Sequence, residues 1–488
     1  MLTAGLQHNE THMRKMIWGA ALSGAFAALA LAGSAHAAEP KFTPGPCAGD
    51  YSGVSNKIQC GTLTVDETRG GPSTRRVAIP VTIVKASAPK AGLPPVVYLH
   101  GGPGGGVVEN VARSLRGPSR ELVAVDQDWI YFDQRGGGVA SPILDCGGVA
   151  LNDAGPLNDA AAQQLIACAQ RLKASGVDLS QYNADEVVKD IQDLRKTLGL
   201  KQIDLFGVSY GTRIALAVVK HDPTGVRAVV LDSPWTPEAK WAEGGPEMVS
   251  DAVKVIFKRC AEDAACNAKY PHPGADLDAV ATKLLAGPQT IGGKVYAADD
   301  LGGFLMDAAY SGPDARALPA TVAKFAAGDM TALAEQMADR SGYNEAQHLT
   351  HLCKEEFPFE SEAAMRKGAQ RDPVSRLLEA SMGRYFQVCK AYDVGAPDPV
   401  EAQPVSSAIP TLFLAAEIDP GCPPAVAKAA VGRFPKGQLT IIPNTTHGVS
   451  RGSACARKMI RAFLADPTAP IDQSCLHPEH DKFVFDLD

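Results

Sequence analysis

The sequence has few charged residues for its length, and its basic residues form no concentrated run. Charged side chains make up 21% of the 488 residues, and acidic residues outnumber basic ones by 54 to 47, for a formal net charge of -7. Nucleic acids and anionic membrane surfaces are bound by basic faces. The composition therefore argues against either as a partner.

The chain also lacks the common signatures of metal and nucleotide binding. It contains no paired CxxC spacing and no HExxH motif, which are usual arrangements of zinc ligands. The glycine-rich stretch at residues 101–106 does not match G-x-G-x-x-G opening a helix, and no phosphate-binding lysine follows it. The remaining cluster with metal-ligand chemistry consists of His348, His351, Cys353 and Glu355. Their spacing follows none of these patterns, and we expect neither a metal nor a cofactor.

No repeat, low-complexity region or long Pro/Gly/Ser tract divides the chain into separate domains. With 45% hydrophobic residues, a chain of this length can bury a large core. The composition is typical of a globular enzyme.

One apolar run near the N-terminus is long enough to suggest a leader. Residues 16–32 are apolar, follow a basic pair and lead into small residues that end in an A-x-A cleavage pattern. This arrangement predicts a signal peptide at residues 1–37, cleaved after Ala37, and hence a secreted or periplasmic protein. A membrane anchor is the alternative, but the run is short and alanine-rich, so we expect no anchor in the mature chain. Met13 is an alternative start of translation, because the residues before it do not resemble the basic start of a signal.

All 11 cysteines lie after the predicted cleavage point. Export to an oxidising compartment makes a disulfide framework the expected use of them. Pairing by proximity in the sequence joins Cys47 with Cys60, Cys146 with Cys168, Cys260 with Cys266, Cys353 with Cys389, and Cys455 with Cys475. Cys422 is left over in this scheme.

A strand-to-helix turn with a central serine is predicted at residues 207–211, which read GVSYG. An apolar run typical of a strand precedes it at residues 202–206, and one typical of a helix follows at residues 212–220. Such a turn needs glycines two residues before and after the serine, because side chains there would collide with the strand and the helix. The serine hydroxyl then projects above the sheet. We therefore predict Ser209 as a nucleophile.

A second glycine-rich turn lies upstream, at residues 101–106. It directly follows residues 94–100, an apolar run typical of a buried strand. Because the loop lacks side chains, its backbone amides can approach a ligand closely. We assign the oxyanion hole to the amides of Gly102 and Tyr210, with Gly101 as an alternative to Gly102.

The acid and the base of a catalytic triad are predicted downstream. Asp419 follows an apolar strand at residues 409–416, and His447 lies on the loop after the next strand, at residues 438–442. The resulting order of serine, acid and histidine is that of hydrolases with this type of nucleophile turn. Glu417 is the alternative acid, but it lies at the strand end, where we expect it to face solvent or a salt bridge.

These segments together resemble a known family. The matching motifs are HGGPGG at residues 100–105, YFDQRG at residues 131–136 and GVSYGT at residues 207–212. They are similar to those of the secreted serine aminopeptidases of the prolyl-aminopeptidase and tripeptidyl-aminopeptidase type, within the alpha/beta-hydrolase superfamily. The strand before Asp419 and the loop holding His447 agree with this resemblance, which spans most of the mature chain. Cys422 departs from it, because relatives often have a small polar residue shortly after the triad acid.

The resemblance implies an alpha/beta-hydrolase fold, an α/β architecture with a mostly parallel sheet flanked by helices. It also implies a mainly helical cap domain inserted between the sixth and seventh strands. The sequence offers room for it, because about 170 residues with helical patterns separate the strand at residues 226–231 from the one at residues 409–416. The predicted organisation is a core made of residues 38–235 and 407–488, with a cap at residues 236–406.

The resemblance further implies a serine hydrolase that releases N-terminal residues or short peptides from peptide substrates. Such an enzyme must bind a cationic amino terminus, and Glu355 and Glu356 in the predicted cap are the candidates for that contact. One alternative is a carboxylesterase that acts on small acyl esters with the same triad. A binding protein without catalysis is disfavoured by the intact Ser209, Asp419 and His447. Epoxide hydrolases and dehalogenases of this superfamily carry aspartate at the position of Ser209 and are also disfavoured.

Overall fold

The computed structural model of the chain describes residues 39–70, 75–148, 157–338, 344–476 and 482–488. The predicted signal peptide, residues 1–37, lies outside these ranges. Within them, no helix combines the length and the apolar character that crossing a membrane requires.

The core of the fold is a nine-stranded sheet, and a two-stranded hairpin lies apart from it. In chain order the strands are β1 (Lys41–Pro44), β2 (Ile58–Asp66), β3 (Arg76–Val84), β4 (Val96–Leu99), β5 (Trp129–Phe132), β6 (Ile203–Val208), β7 (Val226–Asp232), β8 (Gln289–Ile291), β9 (Lys294–Tyr296), β10 (Thr411–Ala416) and β11 (Gly437–Ile442). The sheet order is β1-β2-β3-β5-β4-β6-β7-β10-β11. The first four strands in this order pair antiparallel, and the strands β5, β4, β6, β7, β10 and β11 pair parallel. The predicted mostly parallel sheet is therefore confirmed.

The parallel strands have continuous apolar sequences because both faces of the sheet are covered. Every residue of β6 and of β10 is buried. The strands predicted from these apolar runs are all present, and their ends differ from the predicted ones by no more than two residues.

Helices occur between the strands throughout the chain. In chain order they are α1 (Val111–Arg116), α2 (Asp159–Ala174), α3 (Ala184–Thr197), α4 (Tyr210–His221), α5 (Trp241–Glu262), α6 (Ala264–Lys269), α7 (Pro273–Ala286), α8 (Ala298–Tyr310), α9 (Gly312–Ala326), α10 (Thr331–Ala338), α11 (Glu345–Glu355), α12 (Glu362–Ala369), α13 (Pro373–Arg376), α14 (Glu379–Ala391), α15 (Pro424–Val431), α16 (Val449–Gly452) and α17 (Ala454–Ala465). Short 3-10 turns are at Pro118–Glu121, Leu179–Gln181, Pro223–Gly225, Phe357–Phe359 and Pro399–Ala402.

Helices pack on both faces of the sheet. Apolar residues of α3, α4 and α15 form a cluster with one face, and those of α1 and α17 form a cluster with the other. Because β4, β6, β10 and β11 run parallel, the loops that follow them meet at the carboxyl edge of the sheet. This is the edge at which open α/β sheets bind their ligands.

The long insertion lies between β7 and β10. It contains α5 to α14 and the β8–β9 hairpin, so it is mainly helical. If the short edge strand β1 is left out of the count, the insertion falls between the sixth and seventh strands of the sheet. It has an apolar cluster of its own, which includes Ile256, Leu301, Leu305 and Leu318. The domain boundaries at residues 236 and 406 remain a prediction.

All 11 cysteines lie in the part of the chain that the structure describes. Ten of them form five disulfides, which join Cys47 to Cys60, Cys146 to Cys168, Cys260 to Cys266, Cys353 to Cys389, and Cys455 to Cys475. The pairing predicted from sequence proximity is therefore confirmed. Cys422 is outside these disulfides and is buried in the turn after β10.

Candidate active site

Ser209 lies on a sharp turn between β6 and α4, as the GVSYG pattern predicts. Its backbone has φ 57° and ψ -129°, which is a strained conformation for a residue with a side chain. A side-chain carbon at Gly207 would lie 2.5 Å from the carbonyl oxygen of Gly211. A side-chain carbon at Gly211 would overlap the carbonyl group of Leu99. The turn therefore requires glycine at both positions.

Asp419 and His447 meet in the loops that follow β10 and β11. The Nδ1 atom of His447 lies 2.9 Å from Oδ2 and 3.0 Å from Oδ1 of Asp419. Because a carboxylate only accepts hydrogen bonds, Nδ1 carries the proton and Nε2 is the basic nitrogen. Oδ1 of Asp419 also accepts from the backbone N–H groups of Gly421 and Cys422, at 3.1 and 2.7 Å. These contacts hold the carboxylate in the orientation that a triad acid needs.

Glu417, the alternative acid, is bonded elsewhere. Its carboxylate accepts from the backbone N–H of Asn444 at 2.8 Å and from the guanidinium of Arg259 at 2.5 Å. Its side chain is 26% exposed, in line with the salt bridge expected at the strand end. Asp419 is thus the carboxylate that lies against His447.

Asp232, at the end of β7, holds the nucleophile turn and the histidine loop together. Its backbone carbonyl accepts from the N–H of Ser209 at 2.9 Å. Its buried carboxylate accepts from the N–H groups of Val449 at 2.8 Å and Ser450 at 3.0 Å, just after His447 in the chain. Asp232 is not among the site residues predicted from the sequence. The feature of the sequence that could have indicated a role for Asp232 is its place at the end of the strand that precedes the insertion.

The two residues assigned to the oxyanion hole, Gly102 and Tyr210, line one cavity together with Ser209. Gly102 has φ 118°, a value that favours glycine. A side-chain carbon at the neighbouring Gly101 would lie 2.7 Å from Cβ of Ser209, so this loop passes directly beside Ser209. Tyr210 begins α4, where a backbone N–H has no carbonyl one turn earlier to bind. Both residues thus meet the requirement that oxyanion donors lie next to the nucleophile.

The cavity encloses about 440 Å³ of space between protein atoms, part of it open to solvent. Its wall is mostly apolar and aromatic with a few polar groups, as is usual in small-ligand sites. Besides the residues named above, the wall includes Trp235, Trp241, Tyr310, Leu352, Glu356 and Cys422. Tyr310 also packs edge-on against the ring of His447, with ring centroids 4.6 Å apart. The cavity therefore extends from Ser209 to the immediate neighbours of Asp419 and His447.

Glu356, one of the two glutamates predicted to bind an amino terminus, lies on the wall of this cavity. Its Oε1 atom accepts from a guanidinium nitrogen of Arg213 at 2.8 Å and from the indole N–H of Trp235 at 3.0 Å. Burial raises the pKa of the Glu356 carboxyl to about 8, although Arg213 opposes this shift. The group can therefore gain or lose a proton near neutral pH, depending on the charge that enters the cavity.

Glu355, the other glutamate predicted to bind an amino terminus, does not line this cavity. Its Oε1 atom accepts from the backbone N–H of Ala184 at 2.7 Å, and its Oε2 atom accepts from the hydroxyl of Tyr210 at 2.6 Å. Burial alone would raise the pKa of the Glu355 carboxyl, but the contacts with His351 and Arg213 outweigh burial and lower the pKa. Glu355 is thus an ionised group whose oxygens are engaged by the protein itself.

The four residues considered as a metal site are not assembled as a set of ligands. Cys353 forms a disulfide with Cys389. Nδ1 of His348 lies 2.8 Å from a backbone carbonyl, and Nδ1 of His351 lies 2.6 Å from the hydroxyl of Tyr210. His348 also lines the cavity that contains Ser209.

The sequence matches two described families. Residues 94–258 match the family described as alpha/beta hydrolase fold, and residues 375–475 match the one described as TAP-like protein. The first segment contains Ser209, and the second contains Asp419 and His447.

Curated relatives carry the names of peptidases. The chain is 29% identical over 258 residues to "serine protease Hip1" of Mycobacterium tuberculosis, covering 48% of each chain. It is 28% identical over 202 residues to "tripeptidyl aminopeptidase" of Streptomyces coelicolor, covering 38% of this chain and 37% of the relative. The match thus spans about half or less of the length of these relatives. Among solved structures, a proline iminopeptidase of Mycobacterium smegmatis aligns with a TM-score of 0.40 and 15% identity, covering 83% of this chain and 98% of that one.

Proposed function

Because the chain belongs to the alpha/beta-hydrolase superfamily, we propose that it is a serine hydrolase that releases N-terminal residues or short peptides from peptide substrates. One observation carries this proposal: the nucleophile Ser209 and the buried carboxyl group of Glu356 line the same cavity. The names of the curated relatives support the peptidase class.

The proposed reaction is acyl transfer through Ser209. Nε2 of His447 takes the proton of the Ser209 hydroxyl while the oxygen attacks the carbonyl carbon of the scissile bond. Asp419 stabilises the imidazolium that forms, and the amides of Gly102 and Tyr210 stabilise the oxyanion. When the intermediate collapses, His447 gives the proton to the leaving amine and the acyl-enzyme remains. Water then repeats these steps, and the acyl group leaves as a carboxylic acid.

Substrate selection is proposed to depend on Glu356. An α-ammonium group brings a positive charge into a mostly apolar cavity, where it needs a charged partner. Arg213 is shared between Glu355 and Glu356, so this group of three has a net negative charge when both carboxyls are ionised. When Glu356 is ionised, the charge at this wall therefore favours a cation.

Substrates with a free amino group are expected to exceed their N-acetylated counterparts by about 10- to 100-fold in kcat/KM. The reason is that a charge-assisted contact contributes ~1.5–3 kcal/mol, and every 1.4 kcal/mol is about tenfold. Glu356→Gln keeps the size of the side chain and the acceptor for Trp235 but removes the charge, so the preference should disappear. Paired aminoacyl and N-acetyl-aminoacyl p-nitroanilides measure the preference. Hydrolysis of p-nitrophenyl acetate, which has no amine, should stay within about threefold of wild type.

The matched control is Glu335→Gln, at an exposed glutamate of α10, which should keep the wild-type preference. Equal rates for free and blocked substrates in the wild-type protein would contradict the aminopeptidase proposal and favour the carboxylesterase alternative. A preference that survives Glu356→Gln would keep the aminopeptidase and exclude Glu356 as the amine-binding residue.

The KM for free-amine substrates is expected to fall as the pH rises from about 6 to about 8. In the empty cavity the pKa of the Glu356 carboxyl is about 8 because of burial, so the group is protonated at pH 6. The substrate's ammonium group binds only to the ionised form of Glu356. Below pH 8 the Glu356 carboxyl must therefore release its proton to solvent before the substrate binds. This requirement weakens binding by up to about tenfold for each pH unit below 8. Above about pH 8 the α-amine of the substrate loses its own proton and binding weakens again.

Comparison with blocked substrates isolates this effect, because any pH dependence of the acyl-transfer steps affects both kinds of substrate equally. The fall in KM should be absent for N-acetylated substrates, and also absent in Glu356→Gln. The same pH dependence of KM in the wild type and in Glu356→Gln would contradict the proposed role.

We also propose that the mature protein works in the periplasm or outside the cell. The five disulfides support this, since disulfides persist in oxidising compartments. N-terminal sequencing of protein recovered outside the cytoplasm tests the cleavage after Ala37, and a retained leader would contradict it.

A further inference from the structure

One helix of the insertion, α11, contacts both sides of the oxyanion hole assigned above. At its start, the N–H of Asn344 donates to the carbonyl of Gly104 at 2.9 Å, and Nδ1–H of His348 donates to that of Pro103 at 2.8 Å. Pro103 and Gly104 directly follow Gly102, whose amide is one of the two assigned donors. The start of α11 therefore holds the glycine-rich loop in place.

The end of α11 contacts Tyr210, which supplies the other donor. The Tyr210 hydroxyl lies 2.6 Å from Oε2 of Glu355 and 2.6 Å from Nδ1 of His351. Nδ1 of His351 is also 3.2 Å from Oε1 of Glu355. All three residues are buried, with no more than 4% of each exposed. The hydroxyl of Tyr210 is thus held by two side chains of a single helix.

The neighbours of His351 determine the direction of these hydrogen bonds. The side-chain N–H of Gln347 donates to Nε2 of His351 across 3.0 Å. Because Nε2 accepts, the proton of the neutral imidazole is on Nδ1. Nδ1–H then donates towards Tyr210 and Glu355, and the Tyr210 hydroxyl donates to Glu355. Glu355 is consequently the last acceptor in this chain of hydrogen bonds.

Glu355 also connects this group to the core of the fold. Its Oε1 atom accepts from the N–H of Ala184, the first residue of α3, at 2.7 Å. Its Oε2 atom lies 3.2 Å from Nε of Arg213 on α4. One carboxylate therefore joins α3, α4 and α11 near the residue at which α4 begins.

We propose that Glu355 is a positioning residue for the oxyanion hole, and that it acts through the Tyr210 side chain to place the Tyr210 amide beside Ser209. The proposal rests on the proposed function of Ser209 as the nucleophile. The hydroxyl and the amide belong to one residue at the first turn of α4, so displacement of the ring displaces the donor. A shift of about 1 Å in a catalytic group can lower a rate by about 100-fold. Because α11 also holds the loop of Gly102, this one helix fixes the positions of the Gly102 and Tyr210 amides relative to each other.

Tyr210→Phe and Glu355→Gln test the proposal with p-nitrophenyl acetate, a substrate that has no amine to bind. In both variants kcat is expected to fall by about 10- to 100-fold while KM changes by less than about threefold, since the donor is displaced rather than removed. In the double variant the two losses should not multiply, because both substitutions break the same contact. Multiplied losses would show that the two residues act separately and would overturn the proposal.

Matched controls are available for both substitutions. Tyr182→Phe removes the hydroxyl of another buried tyrosine, which bonds to Glu67 at 2.7 Å. Glu345→Gln neutralises another buried glutamate of α11, which bonds to the N–H of Cys146 at 2.9 Å. Both controls should retain wild-type kcat. Losses in the controls equal to those in the test variants would mean that any buried polar change has this effect, and the proposal would fail.

A trifluoromethyl ketone inhibitor separates positioning from a general loss of structure. Its adduct with Ser209 places an oxyanion against the donors, so its Ki should rise in proportion to the fall in kcat in both variants. The corresponding alcohol forms no adduct and should bind the wild type and the variants equally. Equal weakening of ketone and alcohol, or an unchanged kcat in the folded variants, would overturn the proposal.

Two further outcomes are distinguishable from these. If Glu355→Gln fails to fold, Tyr210→Phe decides the question, because it removes a single oxygen atom and the ring remains. If Ser209→Ala keeps wild-type turnover of p-nitrophenyl acetate, the proposed function fails, and the positioning role of Glu355 fails with it.

Discussion

Ser209→Ala is expected to lower kcat by about four to six orders of magnitude, as the loss of a triad nucleophile does in other serine hydrolases. The substitution removes the oxygen to which the acyl group is transferred, and the strained turn that carries it keeps both of its glycines. Turnover of an aminoacyl p-nitroanilide measures the loss of rate. Labelling by a fluorophosphonate probe, which reacts with an activated serine, should disappear in the same variant.

Ser250→Ala is the control for this experiment. Ser250 is a buried serine whose hydroxyl bonds to the carboxylate of Asp372 at 2.9 Å. This variant should keep full labelling and a kcat within about threefold of wild type. Comparable turnover in purified Ser209→Ala would exclude Ser209 as the nucleophile.

Asp419→Asn is expected to lower kcat by about 10⁴-fold while the fold remains intact. The amide oxygen can still accept from the N–H groups of Gly421 and Cys422, so the turn after β10 is preserved. The NH2 group then faces His447 and donates to Nδ1, which moves the imidazole proton to Nε2. In that tautomer His447 cannot accept the proton of Ser209. The measurement is kcat at pH 7 to 8, with a thermal melt to check folding.

Glu417→Gln provides the matched comparison, because Glu417 is the other carboxylate at this strand end. Its bonds go to Asn444 and Arg259 rather than to His447, so kcat should change by no more than about threefold. A large loss in Glu417→Gln together with a small loss in Asp419→Asn would reverse the assignment of the acid.

The sequence allows the nucleophile turn and the disulfides to be predicted because both depend on residues that are close along the chain. The glycines around Ser209 are required by local backbone geometry, and they could be recognised without knowledge of the sheet. The parallel strands β4, β6, β7, β10 and β11 are predicted from continuous apolar runs for the same reason, whereas the buried strand β5 is not predicted. The antiparallel strands β1 to β3 were not predicted, although alternating burial along β2 shows the pattern that a half-covered strand produces.

Asp232 illustrates what local patterns omit. Its backbone holds Ser209, and its carboxylate holds the loop of His447, more than 200 residues further along the chain. Its place at the end of a strand does not by itself indicate these contacts, because they arise from the pairing of β7 with β6 and β10.

The nucleophile turn and the disulfide pairs can be predicted from the sequence alone, because the turn depends on local backbone geometry and the paired cysteines are 6 to 36 residues apart along the chain. The different surroundings of Glu355 and Glu356, by contrast, follow from the tertiary structure. Successive residues at a helix end differ by about 100° around the axis, so adjacent glutamates reach different surroundings. Glu356 lies on the wall of the cavity, while Glu355 is bonded to Ala184 and Tyr210. These partners are more than 140 positions away in the chain, and only packing of α11 on α3 and α4 brings them together.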